Sequence, residues 1–393
     1  MKSLKIAALG LMAATALTGH TLAQDASDET LDIGLMLTLS GPGAVLGEQG
    51  RDGFMLAVEE MGGKLGGVET NVTTVDDELK PDVAANRARE LVERDSADFV
   101  VGPIFSNIMA AIAKPVTDAG AFLISPNAGP SVFAGEGCNE NLFVVSYQND
   151  QVHEVLGKYA QDQGFERVFL MAPNYQAGKD SLAGFKRSFK GEVTNEIYTQ
   201  LGQLDFSAEL AQIAAMQPDA VFTFMPGGMG VNLVKQYRQA GLETIPFLSA
   251  FTVDETTLPA QQDAAVGFFG GATWAPNIDN EKSKAFVAAY EEKYGSVPGV
   301  YAMQGYDAAQ MIDSAVKAAG GDLSDTDAIR AGLEAADFDS LRGDFKIGPN
   351  HYPVQDFYLV KVAKRDDGKY QTEIEETIFE DYSDAYVDQC KMG

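Results

Sequence analysis

The sequence predicts an α/β protein built as two similar lobes around parallel sheets. Three observations carry that reading. The 393 residues exceed one ordinary compact domain. Short apolar runs alternate with helical patterns throughout, the signature of parallel α/β architecture. One construction also occurs twice, once in each half. Asp98-Phe-Val-Val-Gly-Pro-Ile leads into Ser106-Asn107 and a helix, and Asp219-Ala-Val-Phe-Thr-Phe-Met leads into Pro226-Gly-Gly-Met and another. In such sheets ligands bind beyond the carboxyl ends of the strands, at helix N-termini, so two facing lobes make a cleft.

Ahead of the first strand, Lys2 and Lys5 precede the apolar run Ile6–Leu17 and small-residue spacing at Thr21-Leu22-Ala23. This is the pattern of an export leader, residues 1–23, cleaved after Ala23. The run is too short to span a bilayer, and no later run reaches the roughly 18–20 residues required. Strands are then expected at Ile33–Ser40, Val72–Asp76, Phe99–Ile104, Phe122–Ser125 and Leu142–Ser146. Further ones fall at Val168–Ala172, Ala220–Met225, Phe247–Ala250 and Gly267–Thr273. Between them, Phe54, Val58 and Met61 mark one helix face. Ala84, Ala88, Leu91 and Val92 mark the next, opened by Pro81 at a first helical position.

The chain carries 29 Lys+Arg against 57 Asp+Glu, a net charge of −28, which becomes −30 once Lys2 and Lys5 leave with the leader. That excess argues against a nucleic-acid partner, which needs a basic surface. It reads as solubility or as attraction for a cationic partner. Cys138 and Cys390 are the two cysteines and form no CxxC. They read as a disulfide tying the tail to the loop around Cys138, with two unpaired thiols as the alternative.

A catalytic constellation is missing. After the leader, His153 and His351 are the imidazoles, and neither has metal-ligand spacing. There is no GxSxG elbow. Pro173-Asn-Tyr-Gln-Ala-Gly-Lys-Asp lacks the first glycine of a P-loop and the Ser/Thr after Lys179. Gly41-Pro-Gly-Ala-Val-Leu-Gly47 is off the dinucleotide spacing and reads as a tight turn. No enzyme activity, cofactor or metal is expected, although an exported hydrolase stays as the alternative class.

Four segments occur in order: Leu39-Ser40-Gly41-Pro42 with Leu46-Gly47, Val100-Val-Gly-Pro-Ile-Phe-Ser106, Leu123-Ile-Ser-Pro-Asn-Ala128, and Tyr301-Ala-Met-Gln-Gly-Tyr-Asp307. Together they resemble the leucine-binding-type periplasmic proteins, the solute receptors of branched-chain-amino-acid-type ABC importers. The resemblance runs from Leu31 to Phe357. It implies a type I periplasmic binding fold of two Rossmann-like lobes joined by three crossovers. Lobe 1 would hold 30–145 and 274–346, and lobe 2 would hold 146–273 and 347–393. It also implies a monomer in the periplasm that closes on a small-molecule ligand and docks on ABC permease subunits. A ligand sensor for a signalling receptor is built on the same fold and stays open.

The resemblance carries a ligand-carboxylate site onto Ser106 and the backbone turn Asn127-Ala128-Gly129. Helix-terminal N–H groups with a hydroxyl can receive an anion without Lys or Arg, while a plain N-cap would account for Ser106 equally well. Leu46 takes a position where such receptors often present an aromatic ring, and Tyr175 matches a cleft tyrosine of the second lobe. One departure stands out. Leucine-type receptors pair the ligand ammonium with an acid that follows the strand written here Phe247-Leu-Ser-Ala-Phe251, where Thr252 and Val253 stand, with Asp254 beyond. A buried ammonium without a carboxylate is costly, so either Asp254 swings in or the ligand lacks an ammonium. Phe224, Met225, Phe251 and Trp274 are placed near strand ends to offer aromatic or soft apolar walls. The reading therefore leans to an aromatic or other hydrophobic carboxylate over Leu, Ile, Val or an amide, which remain alternatives.

Overall fold

The computed structural model describes residues 30–392, so the leader read at residues 1–23 lies outside the described residues. The first sheet comprises β1 (Leu31–Leu37), β2 (Lys64–Leu65), β3 (Val68–Asp76), β4 (Phe99–Val101), β5 (Phe122–Ser125) and β6 (Leu142–Val144), in the order β2-β3-β1-β4-β5-β6. All its pairings are parallel except β2 with β3. The second sheet comprises β7 (Arg167–Pro173), β8 (Glu192–Thr199), β9 (Ala220–Thr223), β10 (Phe247–Ser249), β11 (Phe269–Ala272), β12 (Phe345–Ile347), β13 (Pro353–Lys364) and β14 (Tyr370–Tyr382). Its order is β12-β13-β11-β10-β9-β7-β8, with β14 on β13. The core from β8 to β11 is parallel, and the tail strands join it antiparallel. Strand order reverses at β1 in one sheet and at β7 in the other, the switch points where open α/β sheets bind ligands.

Helices α1 (Ala44–Glu60), α2 (Pro81–Arg89), α3 (Ser106–Asp118) and α4 (Ser131–Ala134) follow strands of the first sheet. Then come α5 (Gln151–Asp162), α6 (Gln176–Ser188), α7 (Ser207–Met216), α8 (Gly228–Gln239) and α9 (Leu258–Gln261). The chain returns through α10 (Glu281–Tyr294), α11 (Val300–Ala318), which packs on α1, and α12 (Thr326–Ala335). Phe54, Val58, Ala84, Ala88 and Leu91 are buried as their spacing requires, and Pro81 opens α2. Gly47 must be glycine because a Cβ there would lie 1.9 Å from the Thr38 carbonyl oxygen, where α1 crosses the end of β1.

Each of the nine predicted strands is present, but several stop early. Phe99–Ile104 ends at Val101, Leu142–Ser146 at Val144 and Ala220–Met225 at Thr223. The apolar run continues because residues past the strand end are buried too, in the space between the sheets. The polar strands β8 and β14 carry no such apolar run, and in β13 the run is confined to Phe357–Val360 within a mixed segment.

Arg342, on the returning segment, ties the chain crossings together. Its guanidinium donates to the carbonyls of Val145 (2.7 Å) and Ser146 (3.2 Å), to Gln355 Oε1 (2.8 Å) and to Asp307 Oδ2 (3.0 Å). Ser340 Oγ and the Leu341 N–H also donate to the Asp307 carboxylate. Both charges are sealed from solvent. Cys138 and Cys390 form a disulfide across 252 residues of sequence, joining the tail to the loop after α4.

Two stability predictions follow from these ties. Arg342→Met strands Asp307 as a buried unpaired carboxylate and should cost about 3–5 kcal/mol in urea unfolding; an unchanged midpoint would contradict the described network. Paired Cys138→Ser and Cys390→Ser substitutions should cost about 2–5 kcal/mol, and a melting temperature indifferent to both would contradict the cross-link.

Candidate ligand-binding site

The carboxyl ends of β4, β5 and β6 in one sheet face those of β7, β9 and β10 in the other, and a small cavity lies between them. Leu46 of α1 reaches it from the turn after β1. Ile104, Phe105 and Ser106 line it after β4, and Asn127 and Ala128 after β5. Tyr147, Asn149 and His153 come from the segment after β6 and the start of α5. The second sheet adds Tyr175 and Ala177 after β7, Phe224 and Pro226 after β9, and Phe251 after β10, while Tyr301 of α11 completes the wall.

Among the described residues no Asp, Glu, Lys or Arg lines this space. Two helices turn their N-termini to it instead. α3 begins at Ser106, so the N–H groups of Ser106 and Asn107 lack an intrahelical acceptor. Phe105, not Ser106, occupies the N-cap position, and the helix has no side-chain cap. Ser106 is thus not the plain cap. Its hydroxyl accepts from Asn149 Nδ2 at 3.1 Å. α6 begins at Gln176, again without a side-chain cap, beside Tyr175 and Ala177. Uncapped helix starts present partial positive charge and free donors.

The remaining polar groups are largely satisfied by one another. Asn127 donates to the Ile104 carbonyl (2.7 Å) and accepts from the Tyr147 hydroxyl (3.1 Å). Asn149 also donates to Asp180 Oδ2 (3.0 Å) and accepts from the Gly129 N–H (3.1 Å). Asp180 lies behind this layer, with its pKa raised by burial, and is held by Ser131 and Gln176 as well.

The rest of the wall is aromatic. Tyr147 stacks on Phe251 at 5.4 Å and Tyr175 on Phe224 at 6.3 Å, while Phe224 meets Phe251 edge-on at 6.2 Å. Phe251 adopts φ of +60°, strained for a bulky residue, at the turn where its ring joins this wall.

Four predicted site residues lie elsewhere. Side chains alternate across the continuation of β9, so Phe224 faces the cavity while Met225 turns away, and past β10 the left-handed turn at Phe251 puts its ring on the wall while Thr252 lies off it. Met225 packs in the outer core of the second lobe. Thr252 Oγ1 accepts from the Met225 N–H at 2.8 Å. Trp274 is fully buried against Phe286, its indole N–H bonded to Ser283 Oγ at 2.8 Å. Gly129 sits behind Ala128, with its N–H spent on Asn149. Asp254 does not swing in. Its Oδ1 accepts from the Thr256 N–H (2.8 Å) and hydroxyl, while Oδ2 has no partner and burial pushes its pKa up to about 6. Tyr147, Asn149 and His153 were not picked out as lining residues, although the strand-end rule applied to β6 would have found the first two.

The lobes touch at the cavity mouth, where the Gly41–Gly43 turn meets the start of α8. A Cβ on Gly227 would lie 2.7 Å from the Pro42 carbonyl oxygen and one on Gly228 3.4 Å from Pro42 Cβ. Gly228→Trp should therefore hold the lobes apart and weaken ligand binding by about tenfold or more without lowering the unliganded melting temperature. Undiminished affinity would contradict a cavity that needs both lobes.

A family profile described as periplasmic binding protein matches residues 30–369. A Leu/Ile/Val-binding protein homolog of Brucella melitensis is 27% identical over 91% of this chain and 94% of its own length. Among solved structures, an ABC-transporter solute-binding protein of R. palustris in complex with benzoate is 34% identical, with a TM-score of 0.87. That match covers 93% of this chain and 100% of the other. A solute-binding protein of Rhodopseudomonas palustris BisB5 in complex with 3,4-dihydroxybenzoic acid is 30% identical over 91% and 99% of the two chains, at a TM-score of 0.86. With two α/β lobes and a cleft between them, the chain belongs to the periplasmic binding protein family, as the periplasmic, non-catalytic solute-binding protein of an ABC importer that takes a small molecule between its lobes.

Proposed function

We propose that the solute is a small aromatic carboxylate of the benzoate type, passed on to the permease subunits of the importer. One observation carries this: the cavity is walled by aromatic rings and uncapped helix starts and is lined by no acid. A carboxylate finds donors at Ser106 and the first N–H groups of α3, with the rim of α6 across from it. A flat ring finds Tyr147, Phe224 and Phe251. An amino acid would bring an ammonium that no carboxylate meets, at a cost of several kcal/mol. The relatives crystallised with benzoate and 3,4-dihydroxybenzoate support the same class of ligand. Capture would proceed by ligand contacts that exist fully only when both lobes are engaged, which selects the closed shape for docking.

A thermal-shift panel of benzoate, hydroxybenzoates, leucine and isoleucine tests the reading. An aromatic acid at 100 times its Kd should stabilise the protein by about 2.7 kcal/mol, and the aliphatic amino acids should leave it unmoved. Ser106→Ala should lower affinity for the aromatic acid by about tenfold, the loss of one charge-assisted hydrogen bond, and should cost the unliganded protein no more than about 1–3 kcal/mol for the Asn149 amide left without its acceptor. Stabilisation by leucine alone would overturn the proposal and favour a branched-chain amino-acid receptor.

A further inference from the structure

His153 is a polar side chain of the cavity wall whose ring makes no hydrogen bond among the described residues. It stands in the first turn of α5, and its ring is 2% exposed. It meets three phenyl rings edge-on, at 5.7 Å from Phe222, 5.0 Å from Phe224 and 6.4 Å from Phe251. Its Nδ1 is buried with no hydrogen-bond partner, and among the described residues neither ring nitrogen has one. The asparagines of the same wall have both ends of their amides engaged. Leaving a buried polar group unpaired costs about 1–3 kcal/mol, and a phenylalanine would fill this aromatic corner without that cost.

Burial alone pushes the His153 pKa down to about 3, so the ring is neutral at any pH near neutrality. The charged neighbours on its own helix are turned to other partners: Asp150 and Glu154 both pair with Arg187 on α6. A neutral imidazole offers one donor nitrogen and one acceptor nitrogen. The ligand group that complements either is a hydroxyl, which donates and accepts. The hydroxyls of Tyr175 and Tyr301 can rotate to suit several ligands, whereas the His153 ring is held by the phenyl rings around it.

We propose that His153 is a specificity residue that pairs with a hydroxyl on the ligand's aromatic ring, so that the preferred solute is a hydroxylated aromatic carboxylate. The proposal rests on the aromatic-carboxylate reading and narrows it. A site that buries a polar group for a substrate hydroxyl disfavours the analogue lacking it, because the protein group is then left unpaired.

Isothermal titration of benzoate, 3-hydroxybenzoate, 4-hydroxybenzoate and the matching methylbenzoates is the test, on the wild type and on His153→Phe. The wild type should bind one hydroxybenzoate at least about tenfold tighter than benzoate and than its methyl counterpart. His153→Phe should lose the hydroxyl preference, so that the ratio of hydroxybenzoate to benzoate affinity falls to about one. A second measurement does not depend on the variant folding: in long-range 1H–15N spectra of the wild type, the His153 ring nitrogens should shift with the preferred hydroxybenzoate and much less with benzoate. Equal binding of all the acids, a preference retained in His153→Phe, or ring nitrogens that respond alike to both ligands would overturn the role of His153 while leaving the aromatic-carboxylate reading standing. Failure of every aromatic acid to bind would overturn both.

Discussion

An anion enclosed between two lobes loses its water, and among the described residues no lysine or arginine lines this cavity to replace it. In the proposed reading the backbone replaces it. The uncapped starts of α3 and α6 lie on opposite lobes, each carrying roughly half a unit of positive charge and free N–H groups. Closure on the proposed ligand would bring both to bear on one small volume from which bulk solvent is excluded, where such partial charges act strongly. The same neutral lining makes the site unwelcoming to an ammonium, since Asp254 is folded into its own Thr256 turn. The chain's net charge of −28 therefore has no counterpart within the cavity.

The fold supplies this arrangement at the carboxyl ends of its strands. Switch points at β1 and β7 open both sheets toward the same gap. Alternation past β9 and the turn past β10 decide which neighbour enters it, so Phe224 and Phe251 form wall while Met225 and Thr252 form core and scaffold. The left-handed turn at Phe251 shows the backbone bearing a conformational cost of about 1–3 kcal/mol beside the cavity. Behind the cavity, the buried Arg342–Asp307 network holds Val145, Ser146 and Gln355 together, fixing the crossing segments about which the lobes are joined.

Much of this was legible in the residues. The central parallel strands are buried on both faces, so β4, β5, β6 and β9 stand out as largely apolar runs. Strand β8 and the β13–β14 hairpin were hidden because edge and antiparallel strands mix polar and apolar residues. Ser106, Asn127, Ala128, Leu46, Tyr175 and Phe224 reach the cavity because each follows a strand end at a turn whose chemistry is local. Trp274 was misplaced because burial in a helix packing site and burial in a cavity look alike in sequence, and only the Ser283 hydrogen bond tells them apart. His153 gave no local signal at all. Its interest comes from what surrounds it, three phenyl rings contributed by β9, the segment just after it and the turn after β10.

The central claim is that an anion is held by backbone and hydroxyl donors in a cavity free of formal charge. A crystal structure of the protein with benzoate bound tests it most directly. The account predicts carboxylate oxygens at roughly 2.7–3.2 Å from Ser106 Oγ and the first N–H groups of α3, with the ring against Phe224 and Phe251. A carboxylate paired instead with a lysine or arginine, or a ligand seated outside the cleft, would contradict it.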